Sequence, residues 1–231
     1  MNGRRATNGN ERSNCTDYLH HTDCIVNYQP QEREKIMEAR EQIIEMLKPI
    51  NRPGMEGLIE WMEYHGFYDA PCSSKHHLAK PGGLAEHSLN VCRIACSLVE
   101  AFFVKEGKPF SQSFLDSVVI CALLHDLGKA GQFGKPNYIQ KPIAAIPLGG
   151  FYEPFIYETN KDLLYVPHEI RSVAIASRFI ELTEEEQFAI LYHNGLYGEL
   201  KGFKGNETPL LMILHFADMW AVRVVESEDS N

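Results

Sequence analysis

Three stretches of this chain place ionisable side chains where the neighbouring residues are apolar. They are His87 within GGLAEHSLNV, the adjacent pair His125-Asp126 within ALLHDLGK, and Asp218 within LLMILHFADMWA. On a buried face an unpaired carboxylate costs several kcal/mol, or its pKa moves until it is neutral. Any one of these histidines has a simpler explanation as a core residue with a satisfied hydrogen bond. Together, interruptions that are all His or Asp point to a shared cation, and neutral imidazole with carboxylate suits Zn, Mn, Fe or Co. Adjacent helical residues point about 100° apart, so His125 and Asp126 reach one ion only near a helix end. Gly128 is consistent with an end there. His87 and Asp218 close the site from other helices and leave positions for water and substrate.

The elements that must carry these groups read as helices. Leu84, Val91, Ala95, Leu98 and Phe102 recur at helical spacing between Leu84 and Val104, with His87 on their stripe. Leu115, Val118 and Ala122 form a second stripe that His125 continues, and Leu211, Leu214, Ala221 and Val225 a third, with Asp218 in its middle. Residues 1–29, rich in Asn, Arg, Ser and Thr, read as a poorly ordered arm, and 30–227 as one domain. Helices are predicted over Gln31–Leu47, Met55–His65, His168–Ile180, Glu184–His193 and Glu207–Val225, with a loop from Tyr68 to Gly83. Thr183 and Glu186 make a capping box for the helix that begins there. Between Gly131 and Pro167 the helical period is lost, and PFIYETNKDLLYVP (residues 154–167) reads as a β-hairpin turning at Asn160-Lys161. The last residues are acidic and read as frayed, and no internal repeat or second domain is visible.

Composition bounds the chemistry. The 231 residues are 44% hydrophobic with a net charge of −9, which suits one sizeable core and disfavours a long nucleic-acid track. A small phosphorylated substrate remains compatible, because a bound divalent cation supplies the positive charge that the side chains lack. The longest strongly apolar run, Val118–Leu124, is too short for a bilayer, so no membrane association is expected, and no signal peptide is visible. None of the six cysteines forms a CxxC, which fits a reducing, cytoplasmic setting. Cys15, His20, His21 and Cys24 have zinc-like types but irregular spacing, and read as a chance cluster.

The order His87, His125-Asp126, Asp218, with the flanks GGLAEHSLNV, LLHDLGK and LLMILHFADMWA, resembles the HD superfamily of metal-dependent phosphohydrolases over about Tyr68 to Val225. The resemblance implies an all-α HD-domain helical bundle, here with the small hairpin insertion. Several HD subfamilies hold a second metal through two further histidines, which His168 and His193 match, with Asp126 bridging both ions. The alternative is that these two merely sit at helix ends, His193 favoured by the helix dipole. The cyclic-dinucleotide subfamily shows paired histidines and a GYP signature. This chain has His193-Asn194 and Gly195-Leu196-Tyr197-Gly198, so that substrate is not assigned. By the same resemblance Lys129 contacts phosphate, the alternative being a lysine paired with the helix C-terminus. The loop DAPCSSKHHLAKPGG resembles the entry to the HD domain of bacterial 3′–5′ exoribonucleases and phage-encoded HD hydrolases. There Ser73, Ser74, Lys75, His76 and His77 would line the pocket mouth, or form a solvated polar loop. Arg171 would serve likewise, or lie on the surface.

The expected activity is hydrolysis of a phosphate ester of a nucleotide or short oligonucleotide by a metal-bound hydroxide. One or two divalent ions (Mn, Fe, Ni, Co, Zn or Mg) would act, with Asp126 and Lys129 at the reacting centre and the hairpin as a lid. The alternatives are a di-iron HD-fold oxygenase with the same ligand order, a 3′–5′ exonuclease or phosphodiesterase on longer nucleic acid, and a non-catalytic nucleotide-binding module. The sequence carries no signal of oligomeric state.

Overall fold

The computed structural model describes residues 32–141 and 157–227. The expected arm, the Cys15–Cys24 cluster and the start of the expected hairpin, Pro154–Ile156, lie outside these residues. The described chain is all-α with one two-stranded sheet: α1 Glu32–Leu47, α2 Met55–Tyr64, α3 Gly83–Val99, α4 Gln112–Leu124, β1 Tyr138–Gln140, β2 Tyr157–Thr159, α5 His168–Ala176, α6 Glu184–Tyr192 and α7 Pro209–Trp220. One hydrophobic core runs through it, from Ala39 on α1 to Ala221 beyond α7.

From Val118 to Leu124 helix α4 is apolar on every side, and a helix segment of that kind must be buried all round. Val118 through Leu124 are solvent-excluded, and α4 packs on α1, α3, α6 and α7. Its start is set by Ser111, whose hydroxyl accepts from Phe114 N at 3.1 Å. Thr208 caps α7 in the same way, with Pro209 in the first turn. The stretch Gly83–Val104 has the length and composition of a membrane-crossing helix. Its apolar face packs on α1, α4 and α7 and carries His87.

Two helices end in π-helical turns, Glu100–Val104 after α3 and Ala221–Val225 after α7. A π-turn accommodates one extra residue and rotates the chain beyond it about the helix axis. Phe102 and Val225, expected on buried stripes, are therefore 51% and 49% exposed, while Phe103 packs on the core in Phe102's stead.

The small sheet differs from the expected hairpin in its partner. β2 pairs antiparallel with β1, Tyr138 opposite Thr159 and Gln140 opposite Tyr157. The chain does turn after Asn160, whose carbonyl accepts from Leu163 N at 3.3 Å, but residues 163–167 form no strand to pair with β2. Asn160 also donates from N to Asn137 O at 2.9 Å and from Nδ2 to Pro136 O at 2.8 Å, which fastens the end of β2 to the segment before β1. Leu164 and Tyr165 are left exposed. Local alternation marks a strand but carries no information about its partner.

The predicted capping box is present. Thr183 Oγ1 accepts from Glu186 N, and Glu186 Oε2 accepts from Thr183 N at 2.8 Å. Glu186 is also buried against Arg52 and accepts from Ser117 Oγ at 2.6 Å. Burial pushes its carboxyl up, but Arg52, Ser117 and Thr183 outweigh this and hold it below the ordinary value of 4.5. A depressed folded-state pKa adds stability above the unfolded value, lost as pH falls through the folded one. Glu186→Gln is expected to cost about 1.5–3 kcal/mol at pH 7, the worth of hydrogen bonds to a charged group. The deficit should shrink on acidification below the carboxylate range. Urea midpoints of the two proteins from pH 7 to pH 3 would measure it, and a constant deficit would refute the assignment.

Candidate metal centre

Helix α4 stops at Leu124. His125 is its C-cap, still helical, whereas Asp126 at φ −103°, ψ 10° has left the helix. The break lets two adjacent side chains converge. The helix ends where Gly128 suggested, and Gly128 itself is required by a tertiary contact. A Cβ there would meet His168 O at 2.4 Å and Arg171 Cβ at 2.8 Å, so glycine lets the 3₁₀ turn Leu127–Ala130 lie directly on α5. Gly128 N donates to Ser172 Oγ at 2.8 Å across that contact. His168 opens α5, His193 is the C-cap of α6, His87 lies early in α3, and Asp218 sits in α7.

These six residues meet around the carboxylate of Asp126. On one side, His87 Nε2 and His125 Nε2 each lie 3.4 Å from Asp126 Oδ2 and 3.2 Å from each other. Asp218 Oδ1 is 3.2 Å from His87 Nε2 and 4.0 Å from His125 Nε2. On the other side, His168 Nε2 and His193 Nε2 lie 3.1 and 3.7 Å from Asp126 Oδ1. Two of the groups of donor atoms close enough to hold one cation are His87-His125-Asp126 and Asp126-His168-His193. His87, His125, Asp126 and His193 are buried, and the side chain of His168 is 27% exposed.

The protonation pattern fits cations. His125 Nδ1 lies 2.9 Å from Ala122 O and His193 Nδ1 2.7 Å from Ile190 O, so each ring is anchored through Nδ1 and turns Nε2 toward Asp126. Burial, then the neighbouring His125, lowers the pKa of His193 to about 3, keeping it neutral. Asp126 Oδ1 is buried without a hydrogen bond. It faces the His193 Nε2 lone pair, acceptor against acceptor, an arrangement that a cation between them relieves. Burial pushes Asp126 up, yet Lys129, His125 and His168 hold it well below the usual carboxylate range. Burial pushes His87 down, but Cys72, Asp218 and Glu226 keep it well above the usual histidine value. A proton on His87 stands where a cation would.

Lys129, expected at the reacting centre, lies 2.6 Å from Asp126 Oδ2, and although burial opposes it, Asp126 holds its ammonium well above its ordinary pKa. His77 reaches the site, 3.4 Å from Cys72 Sγ and stacked at a tilt near His87. Burial and then His87 lower it to about 4. Lys75 and His76 are exposed side chains on the same loop. Arg171 is not a surface arginine. It is buried, donating to Gln132 Oε1 at 2.9 Å and Leu164 O at 2.8 Å, and so ties the β segment to α5.

Several contributors were not foreseen. Asn194 Nδ2 lies 2.8 Å from Glu169 Oε1, 3.1 Å from His193 Nε2 and 3.3 Å from His168 Nε2, between the two outer imidazoles. His215 Nδ1 lies 2.7 Å from His193 O, anchoring the end of α6 to α7. Glu226, in the stretch expected to fray, has a side chain 1% exposed and lies 3.0 Å from His87 Nδ1, also accepting from Asn90 at 3.1 Å. Burial pushes Glu226 up, while His87 and Asn90 bring it below the ordinary carboxylate value. A regular helix would put Glu226 about 80° round from Asp218. The π-turn takes up a residue and restores it to that face.

The chain matches the family model described as HD domain over residues 84–220. That span is more than half of the chain and contains all six converging residues. The chain belongs to the HD superfamily of metal-dependent phosphohydrolases. Comparisons with curated proteins and with solved structures gave no match. HD domains bind divalent metals, and the His/Asp groups described above suit such an ion. Glu226 lies beyond the HD span, yet it fixes which nitrogen of His87 turns inward. Carboxylates that orient a ligating histidine typically contribute 10–100-fold in metal affinity or activity. Glu226→Ala is therefore expected to weaken metal binding by about that factor. Equilibrium dialysis against manganese would show it, and unchanged affinity would mean that His87 needs no such support.

Proposed function

We propose that this HD protein hydrolyses the phosphate ester of a nucleotide or short oligonucleotide. The observation that carries this reading is the two-sided carboxylate of Asp126, with His87 and His125 on Oδ2 and His168 and His193 on Oδ1. His87, His125, Asp126 and Asp218 would hold one divalent ion, and Asp126, His168 and His193 a second. Such ions supply Lewis acidity and lower the pKa of bound water.

The chain's own groups do the remaining work. Lys129 sits beside the carboxylate shared by both faces and neutralises charge developing on the phosphoryl oxygens. His77, with its neutral ring, donates or accepts a hydrogen bond at the entrance, and the exposed Lys75 and His76 contact phosphates further out. The net charge of −9 favours a small substrate, held by local cations, over long nucleic acid.

A panel of nucleoside mono-, di- and triphosphates, cyclic nucleotides and short RNAs, assayed with Mn, Fe, Ni, Co, Zn and Mg, tests the proposal. Metal-dependent release of phosphate or nucleotide from at least one class is the expected result. No turnover on any of them, together with dioxygen consumption by the ferrous protein, would favour the oxygenase reading instead.

A further inference from the structure

We propose that Cys72, His77 and a ring nitrogen of His87, with Glu226 at their side, form a thiolate-containing site for a zinc-type divalent cation that adjoins the HD centre. Cys72, His77 and Glu226 lie outside the six converging residues and outside the span 84–220 that matches the family, and His87 is where the two sites meet. The site does not depend on which reaction the HD centre performs.

The donor atoms are spaced for it. Cys72 Sγ is 3.4 Å from His77 Nε2, and tetrahedral zinc, with bonds of about 2.3 Å to sulfur and 2.0–2.1 Å to nitrogen, sets those atoms roughly 3.5 Å apart. Glu226 Oε2 lies 3.9 Å from His77 Nε2, on the rim of these donors. A ring nitrogen of His87 completes a group with Cys72 and His77 whose donor atoms are all within 4.8 Å of one another.

The loop that carries the first two ligands is already folded for the purpose. Cys72 N donates to Leu78 O at 3.1 Å, Ser73 Oγ donates to His77 O at 3.0 Å, and His76 N donates to Ser73 Oγ at 2.8 Å. Leu78 takes φ +48° to close it, a left-handed conformation uncommon for a branched side chain and costly without compensation. Cys72 and the Glu226 side chain are dry, whereas the His77 side chain is 18% exposed. Three protein ligands with one open edge match zinc sites that accept a further ligand. Lys129 Nζ, 3.8 Å from Cys72 Sγ, balances the thiolate left when binding releases the thiol proton to solvent.

Sulfur also sets the selectivity. A thiolate favours zinc, cobalt(II) or ferrous iron over magnesium and manganese, whereas the HD residues offer only nitrogen and oxygen. The two sites should therefore fill with different ions.

Cobalt(II) reads the difference directly. The full chain, stripped by chelator and titrated with cobalt, is expected to develop a thiolate-to-cobalt charge-transfer band in the near ultraviolet. One equivalent of zinc should erase it, and excess magnesium should leave it intact. The band should vanish in Cys72→Ser and require at least tenfold more cobalt in His77→Ala, yet persist in Asp126→Ala. The visible cobalt absorption of the HD centre, retained in Cys72→Ser, would report that this variant is folded. No charge-transfer band in the wild type, an undiminished band in Cys72→Ser, or its loss in Asp126→Ala would overturn the proposal.

Discussion

Asp126→Ala is expected to lower kcat by at least roughly 10³-fold, the scale on which the loss of a main electrostatic stabiliser acts. The reason is geometric. Asp126 Oδ2 faces His87 and His125 while Oδ1 faces His168 and His193, so one truncation removes a ligand from both cation positions. Metal content should fall with activity, whereas affinity for a non-hydrolysable nucleotide should be largely kept through Lys129 and the entrance loop. Asp126→Asn, which keeps the shape and removes the charge, should behave like the alanine variant. Turnover assays, metal analysis and nucleotide titration on the same preparations separate these effects. Wild-type turnover in Asp126→Ala would remove Asp126 from the chemistry altogether, and a nucleotide-binding protein without turnover would show no activity to lose.

Lys129→Met carries the second large effect, and it divides by metal state. With metal bound, kcat should drop about 10²–10³-fold through loss of a charge facing the phosphoryl group, with metal stoichiometry unchanged. Without metal, Lys129 is the nearest counter-ion of buried Asp126, at 2.6 Å. Removing one partner of a buried pair costs roughly 3–5 kcal/mol. Added metal should restore most of that stability, because a cation takes over the neutralisation of Asp126. Denaturant melts with and without manganese, beside kinetics, test both halves. Equal destabilisation in the two states would show that Lys129 packs against the turn and does not balance Asp126.

Much of this site was legible because burial and polarity conflict in the sequence. His87, His125 and Asp218 sit on apolar stripes whose inner members Leu84, Val91, Leu115, Val118, Leu211 and Leu214 are buried, so the stripes located these converging side chains and the helices that carry them. The Thr183–Glu186 box was readable because it is wholly local. What escaped depends on contacts between distant segments. Glu226 reaches His87 across 139 positions and only through a π-turn that no periodicity announces. The partner of β2 was hidden likewise, since Tyr157–Thr159 alternates equally well against any strand. Gly128 marked the helix end, but the approach of α5 that requires it is tertiary and left no local signal.

The two faces of Asp126 differ in how water reaches them. Around Oδ2 the imidazoles of His87 and His125 are sealed, while beside Oδ1 the ring of His168 is open to solvent. An ion held beside Oδ1 would exchange with the medium faster than one beside Oδ2, where among the converging residues only Asp218 is partly exposed. Purified protein is then expected to carry a fractional load, with the inner position retained longer through chromatography and the outer one tracking the buffer.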